Sequence, residues 1–170
     1  GLVFKDVIAS DARAVPVIIA TTVIFGVLLG LADYCAKRSN NATAVVSARH
    51  ALMIGLAQAL ALIPGTSRSG VTITAALFLG YHPASATRFS FLLSVPVIGG
   101  ALLMMLASST GDVGTIGLDK LIVAFVVSAV FAHVTIRGFL YLLERVGLMP
   151  FAVYRLLLGL LLWIWLTPGF

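Results

Sequence analysis

The feature that most restricts this chain is a set of long runs nearly free of charge. Between Val15 and Ala36 the one charged residue is Asp33, and further apolar runs follow at about 84–107, 119–146 and 151–166. Roughly 20 apolar residues in a helix cross the hydrocarbon of a bilayer, where only helices and closed barrels satisfy every backbone polar group. The runs are continuous rather than alternating, which excludes porin-like strands. With 61% hydrophobic and 10% charged residues, against roughly 25% charged in soluble domains, the fold class is all-α: a polytopic helical membrane protein. Eleven Lys and Arg against five Asp and a single Glu give a net charge of +5. Basic residues flanking membrane helices account for that excess, so nucleic acid is not an expected partner. Cys35 is the one cysteine and says nothing of compartment. The chain opens at Gly1 without a methionine, and its first fifteen residues do not resemble a signal peptide. It reads as a piece of a longer protein forming a single integral membrane domain over 1–170.

The expected architecture is about four transmembrane helices plus one re-entrant helical hairpin. The first helix, about Val15 to Ala36, tolerates Pro16 in its first turn and ends at Lys37, Arg38, Ser39, Asn40 and Asn41. Thr22, Gly26 and Gly30 recur every four residues; they offer a face for close helix packing or are ordinary small residues of a membrane helix. The next apolar stretch, about 48–63, is interrupted by Pro64-Gly65-Thr66-Ser67-Arg68-Ser69-Gly70 and resumes from Val71 to Leu79. At 1.5 Å per residue the halves reach about 24 Å and about 15 Å, too short for a core of roughly 30 Å. Residues 48–80 therefore read as a hairpin whose tip lies near mid-membrane, lining protein or a wet cavity. Pro83 opens a helix to about Ala107 with Pro96 as a kink, Ser108 to Leu118 is a loop, and Gly147 and Pro150 separate the last two helices. Trp163 and Trp165 suit an aromatic belt.

If the Lys37 end is cytoplasmic, that side collects Lys37, Arg38, Arg49, Arg88, Arg137, Arg145 and Arg155, and the other side Lys5, Arg13 and Lys120. This asymmetry favours a cytoplasmic 37–49 loop. Arg68, at the hairpin tip, is the basic residue that flanking does not explain. An arginine at membrane depth costs a few kcal/mol and marks a substrate path or a buried pair. Its neighbours point to an anion: hydroxyls from Thr66, Ser67 and Ser69, the glycines Gly65 and Gly70, and Thr72 in the first turn of a helix whose N-terminus attracts negative charge. Guanidinium binds phosphate oxygens in pairs. The alternative is that Ser67 or Ser69 merely caps the helix while Arg68 pairs with an internal carboxylate.

The stretch from Gly55 through Ala57-Gln58 to Pro64-Gly65-Thr66-Ser67-Arg68-Ser69-Gly70-Val71-Thr72 resembles a signature of the undecaprenyl pyrophosphate phosphatase family (UppP or BacA). Ser90-Phe91-Leu92-Leu93-Ser94-Val95-Pro96 with Gly99-Gly100-Ala101, and Pro150-Phe151-Ala152-Val153-Tyr154-Arg155, resemble two further blocks in the same order. The resemblance implies a multi-pass hydrolase of the bacterial inner (plasma) membrane that converts the lipid diphosphate C55-PP to undecaprenyl phosphate, a lipid carrier recycled in peptidoglycan synthesis, with bacitracin resistance as its association. It implies catalytic roles for Arg68 and Ser67, phosphate contacts from Gly65, Thr66, Ser69, Gly70 and Thr72, and a divalent cation, Mg or Ca, whose ligands are not identifiable in this chain. The family's earlier hairpin, with a Glu-x-x-x-Glu pair and a Ser-Ser-Thr-Gly-His stretch, has no counterpart here. Aligning the two hairpins puts those carboxylates and that histidine at Gln58, Leu62 and Val71. The chain is thus expected to be the C-terminal part of an inverted-repeat protein, inactive alone and partnered by the missing N-terminal half, by a polyprenyl diphosphate lipid and by the bilayer, with homo-oligomers left open.

A transporter or flippase binding an anionic lipid phosphate at a broken helix is the alternative, because the same physics serves both. His133, Arg137, Tyr141 and Glu144 share one face of the long helix and form a polar stripe or a second site. His82 and His50 read as surface and interfacial residues, and Asp33 is spaced to pair with Lys37. No P-loop, dinucleotide fingerprint, HExxH or CxxC occurs.

Overall fold

Local signals at the ends of the apolar segments fix the helices. The computed structural model describes residues 15–38, 46–108 and 117–166. The charges of the first fourteen positions, Ser39 to Asn41 and the 109–116 part of the Gly/Ser/Thr loop lie outside the described residues. The helices are α1 (Val15–Arg38), α2 (Ala48–Ala57), α3 (Arg68–Phe78), α4 (Pro83–Ser108), α5 (Leu118–Val146) and α6 (Met149–Leu166). Of these, α1, α4, α5 and α6 are long and apolar enough to cross a membrane. The chain is thus built as a membrane-embedded helical protein.

Ser47 caps α2, its Oγ accepting from His50 N at 3.3 Å. After Ala57 the helix tightens into a 3₁₀ segment, Gln58–Leu62, where an α-helix to residue 63 is expected from the sequence. The cause is Pro64, which pushes Ile63 into extended backbone (φ −79°, ψ 122°) and ends regular helix before it. α3 starts at Arg68, earlier than the apolar run suggests, and ends in a Schellman turn. Gly80 takes φ +84°, its N–H bonds Leu77 O at 3.0 Å, and Tyr81 N–H bonds Ala76 O at 3.2 Å. That turn swings Tyr81 inward to 2% exposure. Its Oη accepts from Ser47 N at 3.2 Å and meets His50 Nδ1 at 2.8 Å, so the two ends of the hairpin lie side by side. His50 is therefore a clasp on the hairpin base. His82 is exposed and accepts from Ala84 N at 3.3 Å where α4 begins.

α3 is the hub, its residues 70–74 buried together with Ala76 and Leu77. It packs on α1, on α4 and on both parts of the preceding arm. α1 lies along α6, and the Thr22, Gly26 and Gly30 face makes this close: a Cβ on Gly26 would stand 3.2 Å from Arg155 Cβ, and one on Gly30 would stand 3.4 Å from Ala152 Cβ. The core joins Leu29, Ala32, Ile54, Ile73, Leu77, Leu148 and Ala152. Asp33, 0% exposed, pairs with Lys37 at 2.8 Å as its spacing predicts. α5 touches the rest mainly through α4, and its apolar window has no buried residue.

Because residues 47 and 81 meet, the arm between them leaves and returns at one end of the bundle. In a Cys35→Ser background, single cysteines at Ala48 and His82 are expected to react with an impermeant maleimide from the same face of sealed vesicles. Labelling from opposite faces would show that residues 48–80 cross the membrane.

Candidate anion site at the hairpin tip

Between the 3₁₀ segment and α3 the backbone turns through Pro64 and Gly65, whose carbonyls have no helix to satisfy them. Donors come from two other helices. Thr21 Oγ1 on α1 donates to Pro64 O at 2.6 Å, and Gly65 O accepts from Thr22 Oγ1 at 3.3 Å and from Arg155 Nη2 on α6 at 2.5 Å. Gly65 has φ +90°, and a Cβ there would stand 2.6 Å from Ile18 O, so only glycine seats the loop against α1. Sixteen residues separate Thr21 from Lys37, which lines a hollow with His82 and Pro83 just past the hairpin base, so the tip stands about 24 Å along α1 from that end.

Ser67 then starts α3 from φ 66°, ψ 119°, a conformation that costs a residue with a side chain about 1–3 kcal/mol. Its Oγ accepts from Gly70 N at 3.3 Å and its carbonyl from Val71 N at 3.0 Å. The N–H groups of Arg68 and Ser69 precede the first intrahelical bonds and form the positive end of the helix.

The seven residues read from the sequence separate into two groups. Ser67, Arg68 and Ser69 are exposed at the head of α3, with Gly65 half-buried beside them and Gly70 buried. Thr66 and Thr72 are turned inward and are 0% and 1% exposed. Thr66 Oγ1 donates to Ile63 O at 2.7 Å; Thr72 Oγ1 lies 3.1 Å from the carbonyls of Arg68 and Ser69 and 2.6 Å from Ser90 Oγ. Thr72, expected among the phosphate contacts, has its hydroxyl engaged between the first turn of α3 and Ser90 of α4.

Arg68 and the serines open on different sides. Arg68 lines a hollow of about 280 Å³ with Gly55, Gln58, Leu62 and Val97, whereas Ser67, Ser69 and Gly70 line one of about 200 Å³ with Tyr154, Arg155, Phe139 and Phe151. Gln58 and Leu62 thus do stand beside Arg68, while Val71 is 3% exposed within the core. Among the described residues, no carboxylate lines either hollow: Asp33 holds Lys37, Glu144 Oε1 lies 3.6 Å from Arg88, and Asp119 opens α5. Arg68 therefore does not pair with an internal carboxylate among them.

Arg155 is the residue the sequence reading misplaced. Expected from the sequence to flank the membrane, it lies about 1.7 turns into α6 and reaches the hairpin loop. A charge about 9 Å inside an apolar helix was the available signal. Thr21 and Ser90 carried none. The His133, Arg137, Tyr141 and Glu144 face of α5 is exposed and lines neither hollow, with Arg145 stacked 4.5 Å over the Tyr141 ring.

The sequence family described as Bacitracin resistance protein BacA matches residues 1–161. A protein of Ruthia magnifica subsp. Calyptogena magnifica, named undecaprenyl-diphosphatase, is 44% identical over 162 residues, covering 95% of this chain and 61% of its own length. Proteins of the same name from Alcanivorax borkumensis and Teredinibacter turnerae are 49% and 48% identical, over 98% and 96% of this chain and 63% and 62% of their own. The chain thus spans about three fifths of the length of these relatives.

The strained cap separates backbone from hydroxyl. Ser67→Gly relieves φ 66° and is expected to unfold no earlier than the parent, whereas Ser67→Ala keeps the strain, loses the cap and is expected to lose about 1 kcal/mol. Thermal denaturation in detergent, followed by circular dichroism, checks this. Equal destabilisation by both would place the whole effect in the hydroxyl.

Proposed function

The chain belongs to the BacA family, and from that premise we propose that it forms the phosphate-binding part of an undecaprenyl-diphosphatase of the bacterial inner membrane. The observation that carries the reading is the exposed Ser67-Arg68-Ser69 head of α3, a cation and free N–H donors deep in an apolar bundle with no described carboxylate beside them. An anion is what such a donor set binds.

In this reading the diphosphate spans the head of α3: Arg68 grips two oxygens through its planar fork from its own hollow, while the N–H groups of Arg68 and Ser69 and the Ser67 hydroxyl contact the rest from the other side. Water adds to the terminal phosphorus, the bond to the bridging oxygen breaks, and that oxygen stays on the lipid as its monophosphate while inorganic phosphate departs. Charge builds on the phosphoryl oxygens as the bond breaks, and a guanidinium already aimed at them stabilises that state more than the ground state. No described histidine or carboxylate stands beside Ser67 to take its proton, so Ser67 acts here as a hydroxyl contact. The groups that activate water belong, on this reading, to the remainder of the family's length, which makes that remainder a required partner.

A divalent cation fits this tip poorly. Guanidinium, hydroxyl and N–H groups are donors to anions, and among the described residues no cluster of His, Cys, Asp or Glu could hold a metal ion. No step above runs through one.

The test is phosphate release from C55-PP by the complete protein in detergent. Arg68→Ala is expected to lower kcat by about 10²- to 10³-fold, and Arg68→Lys, which keeps charge but loses the fork, by at least about 10-fold. Near-normal turnover in a folded Arg68→Ala protein would remove this residue from the site. Tight binding of C55-PP without phosphate release by the unmodified protein would favour a flippase.

A further inference from the structure

Arg155 is a charge that the packing of the bundle does not explain. Its stem leaves α6 against Gly26 of α1, and Nη2 donates to Gly65 O at 2.5 Å. Nη1 is buried with no hydrogen-bond partner, and a Cβ on Gly70 would stand only 2.7 Å from it. The guanidinium is therefore lodged under the first turn of α3, at the positive end of that helix, where a cation is repelled rather than attracted. Arg68, on the same turn of α3, carries a second positive charge into the other hollow. Among the described residues no carboxylate lines this hollow or the one that Arg68 lines, so the head of α3 has a guanidinium on each side and no counter-charge among them. An uncompensated cation is costly in an apolar setting, and an anion at the helix head offsets that cost, the more so the more charge it carries.

We propose that Arg155 is a positioning residue of the anion site, which holds Gly65 and, by its charge beneath α3, makes the hairpin selective for a diphosphate over a monophosphate. The inference rests on reading the tip as an anion site and goes beyond it by assigning the selectivity to a residue on another helix. Because Nη1 is enclosed, Arg155 acts through the field at the α3 terminus and through the loop it holds, not by touching the ligand. A substrate diphosphate gains from both guanidinium charges; the product, with less charge, gains less and leaves.

The experiment measures binding of inorganic pyrophosphate and orthophosphate to the complete protein in detergent, by calorimetry, together with the melting temperature of the ligand-free protein. Wild type is expected to bind pyrophosphate at least about 10-fold more tightly than orthophosphate. Arg155→Met, which keeps a long stem without charge, should lose at least about 10-fold in pyrophosphate affinity, change orthophosphate affinity less, and melt within about 3 °C of wild type, because removing an uncompensated cation offsets the lost bond to Gly65. Arg155→Lys should recover most of the pyrophosphate affinity. If Arg155→Met melts far earlier yet binds pyrophosphate within twofold of wild type, Arg155 is only a strut and the proposal is overturned. Equal weakening by Lys and Met overturns it as well, and so does a wild type that does not distinguish the two anions. C55-PP as competitor separates a lipid headgroup from free pyrophosphate. Failure of the phosphatase reading shows differently, as selective binding that persists in a protein that never releases phosphate.

Discussion

In an apolar bundle a carbonyl outside a helix must find its donor on a neighbouring element, and at residues 64 and 65 the donors are Thr21, Thr22 and Arg155. These bonds join the hairpin tip to α1 and α6, which themselves pack together along the Gly26 and Gly30 face. The tip is thereby held at both sides, while Tyr81 with Ser47 and His50 closes the base. With both ends fixed, the loop between them has little freedom, and Ser67 is kept in a conformation it would otherwise leave. The strain is stored where α3 begins, so the helix starts at Arg68 and its first N–H groups face outward.

Placing the head of a helix at that depth has an electrostatic consequence. Towards the ends of the helices Lys37 pairs with Asp33 and Arg88 lies 3.6 Å from Glu144, while Arg38 and Arg145 stack over Tyr34 and Tyr141. Arg68 and Arg155 meet no described acid, and they line separate hollows on two sides of the head of α3. The anchor of the loop thus stands at the head of α3: the side chain that satisfies Gly65 also lines the hollow of Ser67 and Ser69.

Much of this arrangement was legible because membrane helices are written as uninterrupted apolar runs. The four long helices appear close to their expected ends, and Pro64-Gly65 marked the hairpin because neither arm is long enough to cross. Asp33 and Lys37 pair as their spacing on one helix face requires. What could not be read were contacts set by tertiary distance. Thr21 and Pro64 are 43 residues apart, and Arg155 and Gly65 are 90 apart, so no local pattern announces either bond. Arg155 resembled a flank because it lies near the start of a helix, and only the approach of α6 to the loop gives it a different task. Thr72 looked available from its place in the first turn, yet Ser90 on α4 takes its hydroxyl. The turn chemistry chose Ser67 as the cap with a backbone angle that composition does not reveal.

The central claim is that the head of α3 is an anion site held in shape by α1 and α6. Hydrogen–deuterium exchange of the complete protein in detergent, with and without C55-PP, tests it most directly. Added lipid diphosphate is expected to slow exchange of the amides at residues 66–72 and to leave the exposed helix α5 unchanged, and this protection is expected to be absent in Arg68→Ala. Protection confined to α5, or unchanged exchange at 66–72 under saturating lipid diphosphate, would contradict it.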